Sequence, residues 1–373
     1  MFQCSITAMR VLLVLCLGVV LRAQDAVVEG MPAFRISNGK LTVTVLKQGG
    51  AIASVTLDAD PAHRNPLWEP QRMAREAGEK NSFGPSLGHF LCLDGFGGVS
   101  KEEQAAGYPF HGEAFLQQFA GMAAGGAIQL TTRLPLAMEG VARNLTLLPG
   151  RAVLQVDTLV TNELSFDRPV QWAEHATVGS PFLEPGATVI DMHAVKAKTR
   201  AYADQGGGLP HRFASGQEFT WPLAPGLRGE GQVDMRLTPG TPAGGHTTQL
   251  MDPAREWAWM TVMNTKQHLL IGYLFRRAEF PWVQSWENYP ASGKLARGLE
   301  FSTQPFDVPR RQVVTENSLF GTPTYRWLPA KSTIASRFYV FVTPVPEGWH
   351  KIDDVLFEND VITVVSDAGS LKI

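Results

Sequence analysis

Hydrophobic and polar residues alternate along much of the chain. Five early runs have this period of two and are separated by Gly, Pro, Asn or Asp: KLTVTVL at 40–46, AIASVTL at 51–57, AIQLTTRL at 127–134, ARNLTLL at 142–148 and AVLQVDTLVTN at 152–162. Because successive side chains of a strand point to opposite faces, the pattern predicts strands with one buried face. Half-buried strands of this kind are typical of antiparallel sheets.

Later runs are more continuously apolar: WAWMTVMN at 257–264, HLLIGYLF at 268–275 and SRFYVFVTP at 336–344. Such strands are expected where two sheets face one another. One modest helix is predicted, at residues 65–80, and that segment contains Pro70. The sequence therefore predicts an all-β fold, built as a large antiparallel β-sandwich.

The first 24 residues are predicted to be a signal peptide. Arg10 precedes the apolar run 11–21, which has the length of a signal-peptide core and is too short to cross a membrane comfortably. We place the cleavage near Ala23 or Gln24 and expect an exported protein, periplasmic or secreted. No second apolar run of membrane length follows, so we expect no membrane partner after the signal is removed.

No linker-like stretch divides the rest of the chain, because the Gly-rich pieces at 121–126 and 206–208 are short enough to be loops. We predict one β-sandwich domain at residues 25–346. Residues 347–373 are assigned to extra strands or an edge cover of the same domain, with a strand at 360–367.

Charge and cysteine content exclude several classes of function. The formal net charge is −2, it becomes −4 once Arg10 and Arg22 are removed, and no block of like charges occurs, so no nucleic-acid partner is predicted. Cys4 and Cys16 lie in the predicted signal peptide, which leaves Cys92 without an internal disulfide partner. The histidines are scattered, and neither a GxGxxG motif nor a P-loop is present, so no metal and no cofactor are predicted.

Three polar segments interrupt the apolar pattern. His111 lies in GYPFHGEAF, where it is either a loop residue or a functional group. Glu174 and His175 follow a strand-like run; because neighbours in a strand face opposite sides, only one can enter a cleft, and we favour His175. Glu300 stands in the alternating run GLEFSTQPF, where it either faces solvent or points into a cleft as an acid or base.

An aromatic segment, FPWVQSWENYP, precedes Glu300. A sugar ring has an apolar C–H face and a rim of hydroxyls, so proteins bind it with an aromatic platform and a few polar groups. We predict that Trp282, directly after Pro281, belongs to the core. Trp286 is predicted to stack on a carbohydrate.

The order of these segments resembles that of the aldose 1-epimerase family, the galactose mutarotase-like proteins, over nearly the whole mature length. The resemblance is carried by NGKLTVTVLKQGGAIASVTL, FHGE, AEHATVGSPFL, GLEFSTQPFDVP and RWLPAKSTIASRFYVFV. It implies a galactose mutarotase-like supersandwich. It also implies an aldose 1-epimerase that interconverts the α and β anomers of a sugar without a cofactor.

The resemblance also implies roles for single residues. Glu300 corresponds to the catalytic base of the family and His175 to its catalytic acid. His111 corresponds to the histidine of the His-Gly motif, and Gln304 lies in the segment of the catalytic glutamate, so both are assigned to substrate binding. The family's Asn-Arg pair upstream of His111 is absent; His89 is the nearest polar residue in that context and is assigned to substrate binding.

Two further departures mark a divergent chain. No sugar-reading aspartate is found in the expected region before WAWMTV, and Glu174 stands where asparagine is more usual. The chemistry itself suits the residues, because opening a cyclic hemiacetal needs a base for the anomeric hydroxyl and an acid for the ring oxygen.

Two alternatives stay open: a non-catalytic carbohydrate-binding protein on the same fold, or a glycoside hydrolase or lyase that uses Glu174 and Glu300 as its two carboxylates. The sequence indicates neither the sugar nor the oligomeric state.

Overall fold

Strands form most of the chain in the computed structural model, which describes residues 22–201, 208–227 and 231–373. The prediction of an all-β fold is confirmed. The strands are β1 (Arg22–Val28), β2 (Met31–Ser37), β3 (Leu41–Leu46), β4 (Ile52–Leu57), β5 (His89–Leu93), β6 (Ala120–Ala124), β7 (Ala127–Leu134), β8 (Glu139–Leu147), β9 (Val153–Asn162), β10 (Arg168–Val170), β11 (Trp172–Gly179), β12 (Thr188–Met192), β13 (Ala194–Thr199), β14 (Glu218–Phe219), β15 (Leu223–Pro225), β16 (Gln232–Asp234), β17 (Ala243–Met251), β18 (Trp257–Asn264), β19 (Leu269–Arg276), β20 (Trp282–Tyr289), β21 (Ala296–Ser302), β22 (Ser318–Leu319), β23 (Thr322–Pro323), β24 (Arg326–Leu328), β25 (Thr333–Pro344), β26 (Ile352–Glu358), β27 (Val361–Ser366) and β28 (Gly369–Lys372).

The helices are short: α1 (Pro70–Glu76), α2 (Lys101–Ala105), α3 (Arg310–Glu316) and a 3₁₀ turn at Ala114–Leu116. The predicted helix at residues 65–80 is present as α1, which begins at Pro70. The fixed φ of proline suits the first helical position, where the missing N–H would have no partner within the helix.

Two large antiparallel sheets make up the sandwich. The larger sheet has eleven strands in the order β1-β2-β3-β4-β5-β11-β21-β20-β17-β13-β14, and the smaller has eight in the order β12-β18-β19-β25-β9-β8-β7-β6. The main core fills the space between the inner faces, with side chains such as Val43, Leu91 and Trp172 from the larger sheet and Ile128, Val156 and Phe338 from the smaller. The outer face of the larger sheet is consequently free to carry polar side chains.

The C-terminal residues form a third sheet, β26-β27-β28. Its apolar side chains, among them Trp349, Ile352 and Val364, pack against Trp259 and Phe341 of the smaller sheet in a second core. The tail thus covers the outer face of the smaller sheet. The domain limits proposed for residues 25–346 and 347–373 stay a prediction.

The predicted signal peptide, residues 1–24, lies outside the described residues except for its last three, which begin β1. Export stays a prediction. No helix in the described part of the chain is long and apolar enough to span a membrane.

Candidate active site

Four side chains form one row across the middle of the larger sheet. Phe90 of β5 pairs with His175 of β11, His175 pairs with Glu300 of β21, and Glu300 pairs with Gln284 of β20. Directly paired residues of antiparallel strands project from the same face. The residues on either side of Glu300 in β21 belong to the core, so this row projects from the outer face.

The row forms the floor of a cavity of about 450 Å³. A volume of this size is typical of small-molecule sites. The walls combine aromatic rings with a few polar groups, and the lining residues are Trp68, Ser82, Phe83, Pro85, Ser86, Phe90, Phe110, His111, Phe115, His175, Arg200, His246, Gln284, Trp286, Glu300 and Asp307. The cavity therefore brings together four residues singled out in the sequence: His111, His175, Trp286 and Glu300.

His175 and Glu300 are in contact at the bottom of the cavity. Nε2 of His175 lies 3.1 Å from Oε1 of Glu300. The other ring nitrogen, Nδ1, lies 2.9 Å from Oγ1 of Thr177, so a hydroxyl on the same strand fixes the plane of the imidazole. Gln284 donates a hydrogen bond of 2.6 Å from Nε2 to Oε2 of Glu300. Oε1 is buried and is left without an aligned hydrogen bond from any described residue.

Burial shifts the pKa values of this pair in opposite directions. Removal from water raises the pKa of Glu300 well above 4.5, and the nearby Asp307 adds to the rise. Removal from water lowers the pKa of His175 well below 6.5, and the neighbouring His111 lowers it further. At a pH between the two shifted pKa values, His175 and Glu300 together hold one proton, and the titrations of the two groups are coupled.

His111 contributes a fixed neutral imidazole. Its backbone has φ = 65°, a left-handed conformation that histidine tolerates better than most residues, and this turn places the ring in the cavity wall. The N–H of Gly97 donates to Nδ1 at 3.1 Å, so the ring proton resides on Nε2. Burial lowers the pKa of His111 to about 3. Near neutral pH, His111 can therefore donate one hydrogen bond from Nε2.

Three aromatic rings build one wall of the cavity. Trp286 is partly exposed and meets Trp68 edge to face at 5.7 Å, and Phe83 contacts both tryptophans at 4.8 and 6.1 Å. Trp282, four residues earlier on the same face of β20, is fully buried, as predicted. Trp282 is thus a core residue, and Trp286 is a cavity residue.

Sequence reasoning missed three titratable groups of the cavity, Arg200, His246 and Asp307, and also the amide of Gln284. Asp307 follows β21 and forms an ion pair with Arg200, while its backbone N–H donates to Oε1 of Gln284 at 2.7 Å. Burial raises the pKa of Asp307 to about 6, and it lowers that of His246 to about 3. Asp307 supplies a carboxylate in the cavity, although no sugar-reading aspartate was found in the expected region of the sequence.

Two predicted substrate-binding residues do not reach the cavity. His89 points to the opposite face of the sheet, where it stacks on Phe338 at 5.2 Å and where Nε2 lies 2.9 Å from Oε2 of Glu174. Gln304 lies beyond the end of β21, fully buried, and its Oε1 accepts a hydrogen bond of 2.8 Å from Thr303. His89 and Gln304 therefore do not line this cavity, and their assignment to substrate binding stays a prediction without support from its geometry.

Glu174 has a structural environment. Arg143 of the smaller sheet donates two hydrogen bonds to its carboxylate, at 3.2 and 3.1 Å, and Trp172 donates a third at 3.2 Å. Although burial alone would raise it, the pKa of Glu174 is lowered by Arg143 and His89. Glu174 therefore links the two sheets and is not available to pair with Glu300 across a glycosidic bond.

Within residues 22–201, 208–227 and 231–373, no group of three or more His, Cys, Asp or Glu side chains is arranged to hold a metal ion. The chemistry that the cavity offers from its own residues is proton transfer and hydrogen bonding.

Comparison with solved structures supports the fold. A proposed aldose 1-epimerase of Klebsiella pneumoniae aligns with a TM-score of 0.57 and 14% identity, covering 84% of this chain and 79% of the other. A galactose mutarotase related enzyme of Lactobacillus acidophilus gives 0.57 and 13% over 84% and 99% of the two chains. A galactose mutarotase-like protein of Clostridium acetobutylicum gives 0.58 and 11% over 87% and 99%.

No protein-family model matches the chain, and no curated protein sequence matches it. The chain thus has the galactose mutarotase-like fold, at an identity that speaks for the fold alone.

Proposed function

We propose that this protein is an aldose 1-epimerase-like enzyme, which interconverts the α and β anomers of a reducing sugar. The observation that carries the proposal is the contact of 3.1 Å between His175 and Glu300 on the floor of an aromatic cavity. An acid and a base side by side can serve the two oxygens of one hemiacetal carbon. The fold, shared with the mutarotase-like structures, agrees with this chemistry.

The proposed reaction begins with Glu300 as carboxylate and His175 as imidazolium. Glu300 removes the proton of the anomeric hydroxyl while His175 protonates the ring oxygen, so the C1–O5 bond breaks and the open-chain aldehyde forms. Rotation about the C1–C2 bond then presents the other face of the aldehyde. The reverse transfers close the ring as the other anomer and restore both side chains.

The pair carries one proton before and after each transfer. Burial favours the neutral form, with a protonated Glu300 and a neutral His175, which is the form that follows ring opening. Polar groups of the sugar must therefore stabilise the charged form in the complex. A hydroxyl hydrogen donated to Oε1 of Glu300, which lacks an aligned donor, would supply that stabilisation.

Other groups of the cavity have binding roles in this proposal. His111 donates from Nε2 to a sugar oxygen, and Trp286 offers an aromatic surface to the C–H face of the ring. The Asp307–Arg200 pair presents acceptors and donors to further hydroxyls. These contacts would hold the anomeric carbon above the His175–Glu300 pair.

The competing proposal is a carbohydrate-binding protein without activity. Exchange NMR or polarimetry on a panel of free aldoses separates the two. We expect at least one aldose to be interconverted faster than in buffer, and Glu300→Gln to lower turnover by at least about 10²-fold with little change in binding or folding. His175→Asn should have the same effect.

The matched control is Glu358→Gln, an exposed residue at the end of β26, which should leave turnover unchanged. Binding of an aldose without any interconversion would refute the enzyme and favour the binding protein. Full activity in Glu300→Gln would refute the assignment of the base.

A further inference from the structure

A second cavity adjoins the first. Its volume is about 270 Å³, and we call it the side cavity. Trp68, Ser82 and Phe83 line both cavities. The two cavities thus share these side chains as a common wall.

Strand β20 runs beneath both cavities. Alternate residues on one face of β20 line the two cavities in sequence order. Gln284 lines the catalytic cavity, Trp286 lies in its aromatic wall, and Asn288 lines the side cavity. Alternate residues of a strand share a face, and four residues of a strand extend on the order of 13 Å. The distance from Gln284 to Asn288 is therefore suited to two linked pyranose rings rather than one.

The loop between α1 and β5 carries Ser82 and Phe83, which lie between the two cavities, and we call it the divider. Oδ1 of Asn81 accepts from the N–H of Phe83 at 3.0 Å, and Nδ2 of Asn81 donates to the carbonyl of Gly84 at 2.7 Å. Gln71 of α1 donates to the same carbonyl at 3.1 Å. These bonds hold Phe83 against Trp68, so the divider presents a fixed aromatic surface to both cavities.

The rest of the side cavity combines apolar side chains, among them Met73 and Leu209, with several polar groups. Asn81, Asn288 and Ser292 offer amides and a hydroxyl, and Lys294 forms an ion pair with Glu79 at the rim. Aromatic rings on one side and hydrogen-bonding groups on the other match the two kinds of surface of a sugar ring.

We propose that the substrate is the reducing end of a disaccharide or longer oligosaccharide, with its terminal ring in the catalytic cavity and the next ring in the side cavity. This proposal rests on the proposed function, because the ring that reacts must be the one with a free anomeric hydroxyl. The linkage to the second ring must then leave from another hydroxyl of the first, on the side of Trp68 and Phe83.

The experiment compares each disaccharide with the monosaccharide that forms its reducing end, using the full chain and exchange NMR. Where that aldose is glucose, the probes are maltose, cellobiose and melibiose. We expect at least one disaccharide to have kcat/KM roughly tenfold above that of the monosaccharide, the scale of one added aromatic contact. Asn288→Ala should bring the ratio close to one.

The matched control is Asn144→Ala, an exposed asparagine on β8 of the smaller sheet, which should keep the wild-type ratio. Ser292→Trp, an exposed residue at the mouth of the side cavity, gives a second variant in case Asn288→Ala does not fold. It should fill the cavity and also lower the ratio.

The outcomes separate this inference from the proposed function. The second ring alone would be refuted if monosaccharides are interconverted and no disaccharide has a higher kcat/KM. It would also be refuted if the ratio of the two kcat/KM values is unchanged in both Asn288→Ala and Ser292→Trp. If no sugar is interconverted, NMR titration decides. Tighter binding of a disaccharide that is lost in Asn288→Ala would support the side cavity and refute the enzyme, and equal binding of both sugars would refute the side cavity.

Discussion

The Glu300 carboxylate folds back over Gly298, which lies two residues earlier on the same face of β21. A Cβ added to Gly298 would lie within 3.0 Å of Oε1, a separation that side chains do not tolerate, and 3.2 Å from Cδ of Glu300. The same Cβ would lie 3.2 Å from Cβ of Trp286. Gly298 does not have a positive φ, so backbone conformation does not require glycine here. Glycine is required because a side chain would occupy the space of the Glu300 carboxylate.

Gly298→Ala should therefore displace the base while leaving the sheet intact. The obstructing atoms belong to the end of a side chain, which can rotate away, and the carboxylate would retreat on the order of 1 Å. A misplacement of that size costs roughly 10²-fold in rate, or about 2.7 kcal/mol of transition-state stabilisation. We expect kcat to fall by this factor with little change in melting temperature.

Gly140→Ala is the matched control. Gly140 lies in β8, and a Cβ there would have no neighbour closer than Thr161, at 3.8 Å. Anomer exchange measured by NMR for both variants, together with thermal unfolding, tests the reasoning. Wild-type kcat in Gly298→Ala would refute the proposed position of Glu300 as base, and an equal loss in both variants would show a general cost of glycine replacement.

Three further outcomes follow from the environments of single residues. Because burial lowers the pKa of His175 and raises that of Glu300, the pair holds one proton between the two shifted pKa values, and kcat/KM should follow a bell-shaped pH profile with its acid limb well below 6.5 and its alkaline limb well above 4.5; an acid limb at 6.5, the ordinary value of an imidazole, would contradict this. Trp286→Ala should weaken sugar binding by roughly 1–2 kcal/mol in calorimetry with an unchanged melting temperature, whereas unchanged binding with a lower melting temperature would make Trp286 a core residue. Glu174→Gln should lower the free energy of unfolding by about 3–5 kcal/mol in a denaturant titration, because it leaves Arg143 buried without a counter-charge; full stability would show that the link between the sheets is weak.

Strand positions followed from the hydrophobic pattern, alternating or continuous, where the strands are long. The predicted segments 127–134 and 257–264 coincide with β7 and β18 residue for residue. The order of strands could not be predicted in this way, because β5, β11 and β21 are neighbours in the sheet although they are far apart in the chain. The helix predicted at 65–80 began too early, since the residues before Pro70 connect to β11 through the bridge between Leu67 and Val178.

The strand period also explains which site residues were found. His175 and Glu300 are paired in the sheet, and Glu300 has the core residues Leu299 and Phe301 on both sides in its strand, so the side chains of this pair leave the core. The position of His89 outside the cavity could have been read from the alternation of β5. His89 shares a face of β5 with Leu91 and Leu93, both core residues, and Phe90 is the member of β5 that enters the cavity.

Two of the missed residues come from the ends of strands, whereas His246 lies within β17. Arg200 directly follows β13, and Asp307 lies in the turn after β21. Alternation does not apply outside strands, and the two side chains meet only because β13 and β21 belong to the same sheet, separated by β20 and β17. The direction of the Gln304 side chain could not be predicted for the same reason, because Gln304 lies just beyond β21, where neither face of the strand continues.

Glu174 and Glu300 show that burial alone does not identify a reactive carboxylate. Both side chains are buried, and their strands, β11 and β21, are neighbours in the larger sheet. Glu174 receives hydrogen bonds from Arg143 and Trp172 and contacts His89, and its pKa is lowered, so it remains a charged structural group. Glu300 has one aligned donor, Gln284, and its pKa is raised.

The difference between the two glutamates lies in what each oxygen contacts. The free oxygen of Glu300 faces a cavity and lies beside an imidazole, where a substrate hydroxyl can complete its hydrogen bonds. A completed set of partners stabilises a fixed charge, whereas an incomplete set next to a second titratable group leaves a proton free to move. It follows that Glu300, rather than Glu174, is the carboxylate on which the proposed activity must depend.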